Sequence, residues 1–322
     1  MIEPRLKNSK LKLPANISKK INPYRIRKEG KELIIKALVA ILLVGVSYNI
    51  LAPVIGIFSV AFMSLEDMFN PMVFLIPENP SFANIRNAMF HMRFWTTLRI
   101  TLTYALGMGL LHVLIASLAG YGFARYKFYG NKLIFGLALL TFIIPPQTYM
   151  VPLWFRFRFF GPTDINLIGG YAPMIILTAT GMGLRSGLFI YIFRQFFMGV
   201  PKELSEAAYI DGCGHLRTYA FIMMPNAKPA IITVLMFALV WHYGDTFYSG
   251  ILLGTPRFMH VSLGSVVTQY MQYHGIAGDL NQMRAQMVFF AGITLVVSPI
   301  MIIYAIMQRQ FIEGIERSGI VG

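Results

Sequence analysis

The chain has 322 residues, 56% of them apolar and only 13% charged, against about a quarter charged in soluble domains. With a mean hydropathy of +0.59, so few charges cannot screen a core of that size from water. An ordinary soluble domain is excluded, and lipid must cover much of the surface. The net charge of +14 does not indicate nucleic acid, because ten of the 28 Lys and Arg residues precede Glu32, directly ahead of an apolar run. The one cysteine, Cys213, excludes an intrachain disulfide.

In chain order, residues 1–32 read as a basic cytoplasmic tail and residues 33–310 as an all-α, polytopic membrane domain. Residues 311–322 read as a second cytoplasmic tail. A span needs about 20 mostly apolar residues, and six segments qualify: Leu33–Phe62, Trp95–Phe123, Leu133–Trp154, Tyr171–Phe193, Ala230–Leu253 and Met287–Met307. The first is too long and too basic at its start for a cleavable signal, so it reads as an uncleaved anchor. With both termini inside, inner segments hold 19 of the 28 Lys and Arg and outer loops hold six. The basic tail carries most of that bias, and the orientation follows as N-in and C-in. Within the third span Pro145 and Pro146 predict a break, and "PLWFRFRFFGP" after it an amphipathic segment at the outer surface.

This topology places residues 199–229 in the cytoplasm. Pro201 suits a first helical position and Glu203 a first turn, where the helix dipole favours negative charge. "KELSEAAYI" predicts a short helix, "DGCG" its stop, and "HLRTYAFIMMP" a second helix broken by Pro225 and Pro229. Ala207 and Ala208 are small where a surface helix usually carries long side chains, so the helix offers a docking surface. Physics alone leaves a second reading open, an amphipathic helix lying on the membrane.

The pattern Glu206-Ala207-Ala208, Asp211-Gly212, Ile222, Pro225 and Pro229 closely resembles the EAA loop of permease subunits in bacterial ABC importers. The approach "FFMGVPKELSEAA" is similar to that of the maltose-type, binding-protein-dependent carbohydrate subfamily. The resemblance implies a type I importer permease fold in the inner (cytoplasmic) membrane. It also implies transport of a sugar or oligosaccharide by alternating access. The loop helix would be a coupling helix seated on a separate ATPase, with Glu203, Glu206, Ala207, Ala208, Asp211 and Gly212 at the contact. The implied partners are a second homologous permease subunit, two ATP-binding cassette ATPase subunits and an extracytoplasmic solute-binding protein or lipoprotein. Cys213 and Met224 depart from the usual Ala and Leu but keep small or apolar character. The tail "QRQFIEGIERSGIVG" is similar to one that reaches between the ATPases, with Val321 where a basic residue is usual.

No Gly-x-x-x-x-Gly-Lys-Ser/Thr occurs, so the phosphate cradle of an ATPase is missing from this sequence. No metal-spaced Cys/His set and no Ser/His/Asp set stands out either, and neither catalysis nor a cofactor is expected of the chain. Two alternatives remain: an ion-coupled secondary transporter, or an ABC importer for a non-sugar solute. Ion coupling usually needs acids near the bilayer midplane, and only Asp245 falls within a predicted span. Within span five, Trp241, Asp245 and Tyr248 fall at i, i+4 and i+7, and His242 is spaced to hydrogen-bond Asp245. Such a face suits sugar recognition and is a candidate substrate pathway; alternatively, Trp241 and Tyr248 pack between helices or at an interfacial belt.

Overall fold

A computed structural model describes residues 23–254, 257–274 and 279–319. Residues 1–22 of the basic tail and 320–322 of the C-terminal tail lie outside the described residues. The chain divides into two units, Met1–Ile55 and Gly56–Gly322. Of the first, the described part belongs to helix α1 (Pro23–Phe62). Its apolar side chains from Leu33 to Leu51 are exposed all round. A helix hydrophobic on every side needs a non-aqueous surround, and a bilayer supplies one.

The second unit is all helix apart from one isolated bridge between Phe160 and Ile165. After α2 (Leu65–Phe69) and α3 (Ala83–His91) comes α4 (Phe94–Arg125), the central rod. Its 32 residues rise about 48 Å at 1.5 Å each, enough to cross a bilayer end to end. Among the described residues three helices are long and apolar enough to cross a membrane: α1 from Lys31, α4, and the stretch Leu280–Arg309 of α15 (Asp279–Gly319). α15 continues without a break past Met307, where the sequence suggested the sixth span would end.

The third, fourth and fifth predicted spans are not single helices. The third is α5 (Asn131–Ile143), a 3-10 turn at Pro146–Thr148, and α6 (Met150–Arg158). Pro146 has no N–H to carry the helix on, so the expected break is there. The fourth is α7 (Ala172–Ala179) and α8 (Ser186–Gly199), parted by a turn with left-handed backbone at Gly181 and Arg185. The fifth is α12 (Lys228–Gly244) and α13 (Phe247–Leu252), parted at Asp245.

α4 packs chiefly on α8 and α12, and α15 on α12, α3 and α14 (Met259–His274). Gly120 sets the α4–α8 spacing, since a Cβ there would lie 2.6 Å from Phe193 Cβ and 2.9 Å from the Arg194 nitrogen. Phe189, Phe193 and Phe197 of α8 fill the interface and are fully buried. A second cluster gathers α3, α14 and α15 around Met92, Val266 and Val288, and a third joins α4, α6, α7 and α13 around Met174 and Leu252.

Candidate functional site

The segment after α8 folds as a helix, a glycine stop and a second helix. α9 (Glu203–Ile210) starts with Lys202 as its cap, so Pro201 lies just outside it rather than at its first turn. Glu203 and Glu206 occupy that first turn, where unpaired backbone N–H groups favour negative charge. The stop is a Schellman motif. Gly212 has φ +80°, its N–H donates to Tyr209 O at 3.1 Å, and the Cys213 N–H donates to Ala208 O at 2.9 Å. The chain then forms α10 (His215–Thr218), a π-helical turn Tyr219–Met223, and α11 (Met224–Asn226). An 80° bend follows into α12. Pro225 and Pro229 cannot donate backbone hydrogen bonds on either side of that bend, which removes the bonds that would hold the axis straight.

α9 has two faces. Ser205 and Ala208 are buried, and the Ser205 hydroxyl donates to Met223 Sδ at 3.7 Å. Through Ser205, the buried face of α9 therefore meets this chain's own π-turn. Glu203, Leu204, Glu206, Ala207 and Ile210 are exposed, with Ile210 at 86%. Asp211 and Gly212 at the end of the helix are exposed as well. Exposed leucine and isoleucine flanking a small alanine and two acids form a compact apolar knob with a charged rim, the composition of a surface that meets a partner.

The knob is fastened to the rod. Arg125 Nη2, at the end of α4, donates to Val200 O at 2.7 Å, just before α9. The Tyr219 and Ser117 hydroxyls lie 2.7 Å apart in the buried α4–π-turn contact. Tyr209 at the end of α9 bonds His215 Nδ1 at 3.1 Å, and the Tyr126 ring meets His215 edge-on at 5.4 Å. These ties from α4 reach both ends of the loop helix and hold it against the bundle. Sequence reasoning missed Ser117, Arg125 and Tyr219, because nothing local marks a contact spanning 75 or 102 positions.

The span-five residues do not share the face that their spacing suggested. α12 ends at Gly244, and Asp245 has extended backbone (ψ 110°), so the i, i+4, i+7 register is broken. Asp245 is buried and its carboxylate accepts from the N–H groups of Phe247 at 3.2 Å, Tyr248 at 3.1 Å and Ser249 at 2.8 Å. It caps α13. The Ser249 hydroxyl donates back to the Asp245 carbonyl. His242 does not bond Asp245: both its ring nitrogens lack partners among the described residues, and its ring lies 5.1 Å from that of His112. Trp241 stacks on Phe237 at 5.3 Å and lies under the Arg185 guanidinium at 5.5 Å, while the Tyr248 hydroxyl meets that of Tyr149 at 2.7 Å. The Phe237 stack lies within α12, whereas the Arg185 and Tyr149 contacts join separate elements. A separate, mostly apolar cavity of about 630 Å³ lies beside α4 and α7, with Arg99, Tyr104 and Tyr171 in its lining.

The chain is thus a bundle with long apolar helices and one exposed loop helix fastened to it. Residues 112–317 match the family described as "Binding-protein-dependent transport system inner membrane component", and the chain belongs to that family. It is 31% identical to the maltodextrin transport system permease protein MdxG of Bacillus subtilis (strain 168), over 69% of this chain and 74% of that one. It is 25% identical to the arabinooligosaccharides transport system permease protein AraQ of Halalkalibacterium halodurans, over 71% and 75%. The fold also matches a chain in the crystal structure of a bacterial ABC transporter involved in import of the acidic polysaccharide alginate. There the TM-score is 0.70 at 21% identity, over 87% of this chain and 98% of the other. Family and relatives place the chain in the inner membrane as a permease rather than an enzyme.

Proposed function

We propose that the chain is one of two homologous membrane subunits of an ATP-driven ABC importer for a sugar or oligosaccharide. The relatives named for maltodextrin and arabinooligosaccharides support the solute class. α1, α4 and α15 supply three crossings, and the broken pairs α5–α6, α7–α8 and α12–α13 supply three more, with both termini inside. A receptor or lipoprotein delivers solute to the outer face. Two ATPase subunits closing on ATP push α9, and the bundle exchanges outward for inward opening. Energy transfer is then differential affinity between two states, with no chemistry on the solute.

The observation that carries this reading is the exposed face of α9, stiffened by the Schellman stop and tied to α4 at Val200 and Tyr219. A loop so held transmits a push. On this reading Glu206 meets a basic or donor group of the ATPase, Ala207 admits its surface, and Leu204 and Ile210 fill apolar ground. An ion-coupled mechanism fits less well, because the Asp245 carboxylate is already committed to three backbone donors. The test is cross-linking in native membranes from cysteines at Ala207, Leu204 and Ile210, each with Cys213→Ser. A covalent adduct with a nucleotide hydrolase, its yield changing with ATP, is expected; no such adduct from any of the three positions would overturn the assignment.

A further inference from the structure

The end of α4 far from α9 borders a polar cleft. Arg93, the residue before α4, has left-handed backbone (φ 49°), an uncommon conformation for arginine and a strained one. It lines a cavity of about 590 Å³ with Phe90, His91, Gln269, Gln272 and Tyr273. An adjoining cavity of about 310 Å³ shares Arg93 and Gln269 and adds Arg257, Ser262 and Ser265. Both are built from the α3–α4 junction and α14, which on the proposed topology face outward.

The charge in this cleft is one-sided. Among the described residues no aspartate or glutamate lines either cavity. Among the described residues no carboxylate pairs with Arg93 or Arg257. Two guanidinium groups around one concavity repel each other and present planar donor forks, an arrangement relieved by a bidentate anion. The remaining lining is suited to a sugar: Gln269 and Gln272 offer amides, and Tyr273 offers a ring face. His91 is buried beneath, with its ring 5.5 Å from Tyr270 and 5.4 Å from Tyr273. Gln269 Nε2 donates to Ser265 Oγ at 2.8 Å, which orients its amide.

We propose that this cleft is an outer subsite for a carboxylate-bearing saccharide. Arg93 and Arg257 take the carboxylate, Gln269 and Gln272 take hydroxyls, and Tyr273 packs against the ring C–H face. The assignment rests on the permease reading and narrows its solute to an acidic sugar. The competing occupant is an acidic loop of the receptor. The concave form, a volume in the range of small-molecule sites, and the amide-rich lining favour the saccharide.

The test uses the intact permease–ATPase complex in nanodiscs without receptor, titrated calorimetrically with trigalacturonate and with neutral maltotriose. Trigalacturonate is expected to bind with an affinity that falls as salt rises. It is expected to bind about tenfold less tightly in Arg93→Gln and in Arg257→Gln, with Arg93→Lys in between, a loss in the range of one charge-assisted hydrogen bond. Maltotriose is expected to bind at least about tenfold less tightly to the unaltered complex, because two cations stay unpaired. Equal binding of both saccharides, or unchanged binding in both glutamine variants, overturns the proposal. So does weakened capture of the receptor with saccharide binding untouched, which makes the cleft a docking surface. ATP hydrolysis stimulated by receptor and a neutral sugar would leave the permease reading standing while this one fails. No stimulation by any saccharide would count against the permease reading itself.

Discussion

Gly212 sits at φ +80° with open space where a Cβ would go, so the demand at this position is purely backbone. A β-branched side chain there costs about 1–2 kcal/mol, whereas asparagine visits the left-handed region readily. Gly212→Val is therefore expected to insert normally yet lose uptake relative to ATP hydrolysis, and Gly212→Asn to keep most of the coupling. Transport and hydrolysis assays on the same vesicles check both. Asp245 supplies a second residue-scale expectation. Its Oδ1 accepts from Phe247 and Tyr248 and its Oδ2 from Ser249, so Asp245→Asn, which keeps one acceptor oxygen and loses the other, should cost less stability than removing both. Asp245→Ala should lower stability by about 0.5–2 kcal/mol, read as a drop in the melting temperature of the purified complex. If Asp245→Asn abolished uptake at unchanged stability, the carboxylate's charge would have a transport role.

Among the elements, the two faces of α9 give separable outcomes. Ala208→Leu forces methylenes into the buried face of α9 and should cost about 1–3 kcal/mol of stability. Ala207→Leu adds bulk to an exposed face, so stability should hold while capture of the ATPase subunits falls. Thermal melts paired with co-purification separate the two, and equal losses of stability would contradict the facing assigned here. This loop was legible from the sequence because its signals are local: two acids ahead, a glycine behind, prolines beyond. The fifth span was not. A hydropathy count reads Phe237 to Gly250 as one helix, since a single aspartate barely dents the average. Yet Gly244-Asp245 is a stop followed by a cap, and that pair was the available clue. The break at residues 180–185 is similar, marked only by Gly181 and Gly183 in an apolar run. His242 was paired with Asp245 by helical spacing, and once the helix stops at Gly244 that spacing has no meaning.

For the molecule as a whole, labelling reads the side of each loop. On the proposed topology Phe74, 79% exposed between α2 and α3, lies outside, whereas Cys213 lies inside. A membrane-impermeant maleimide should label Phe74→Cys on intact cells stripped of any outer envelope, and Cys213 only after lysis. The reverse pattern would invert the orientation. Fold class, loop and anchor helix could be read in advance because each depends on composition or short spacing. The cleft at the α3–α4 junction could not, since Arg93 and Arg257 meet only through the folded bundle.

A single unbroken helix, α4, begins beside Arg93 and finishes at the Arg125–Val200 bond. Thermodynamic reciprocity then applies to its two tips. On the proposed function, by whatever factor an occupied cleft eases nucleotide-driven closure below, bound nucleotide must tighten the grip on solute above by the same factor. A pump wired this way meters its own fuel, idling when nothing waits outside and holding cargo hardest while nucleotide is bound.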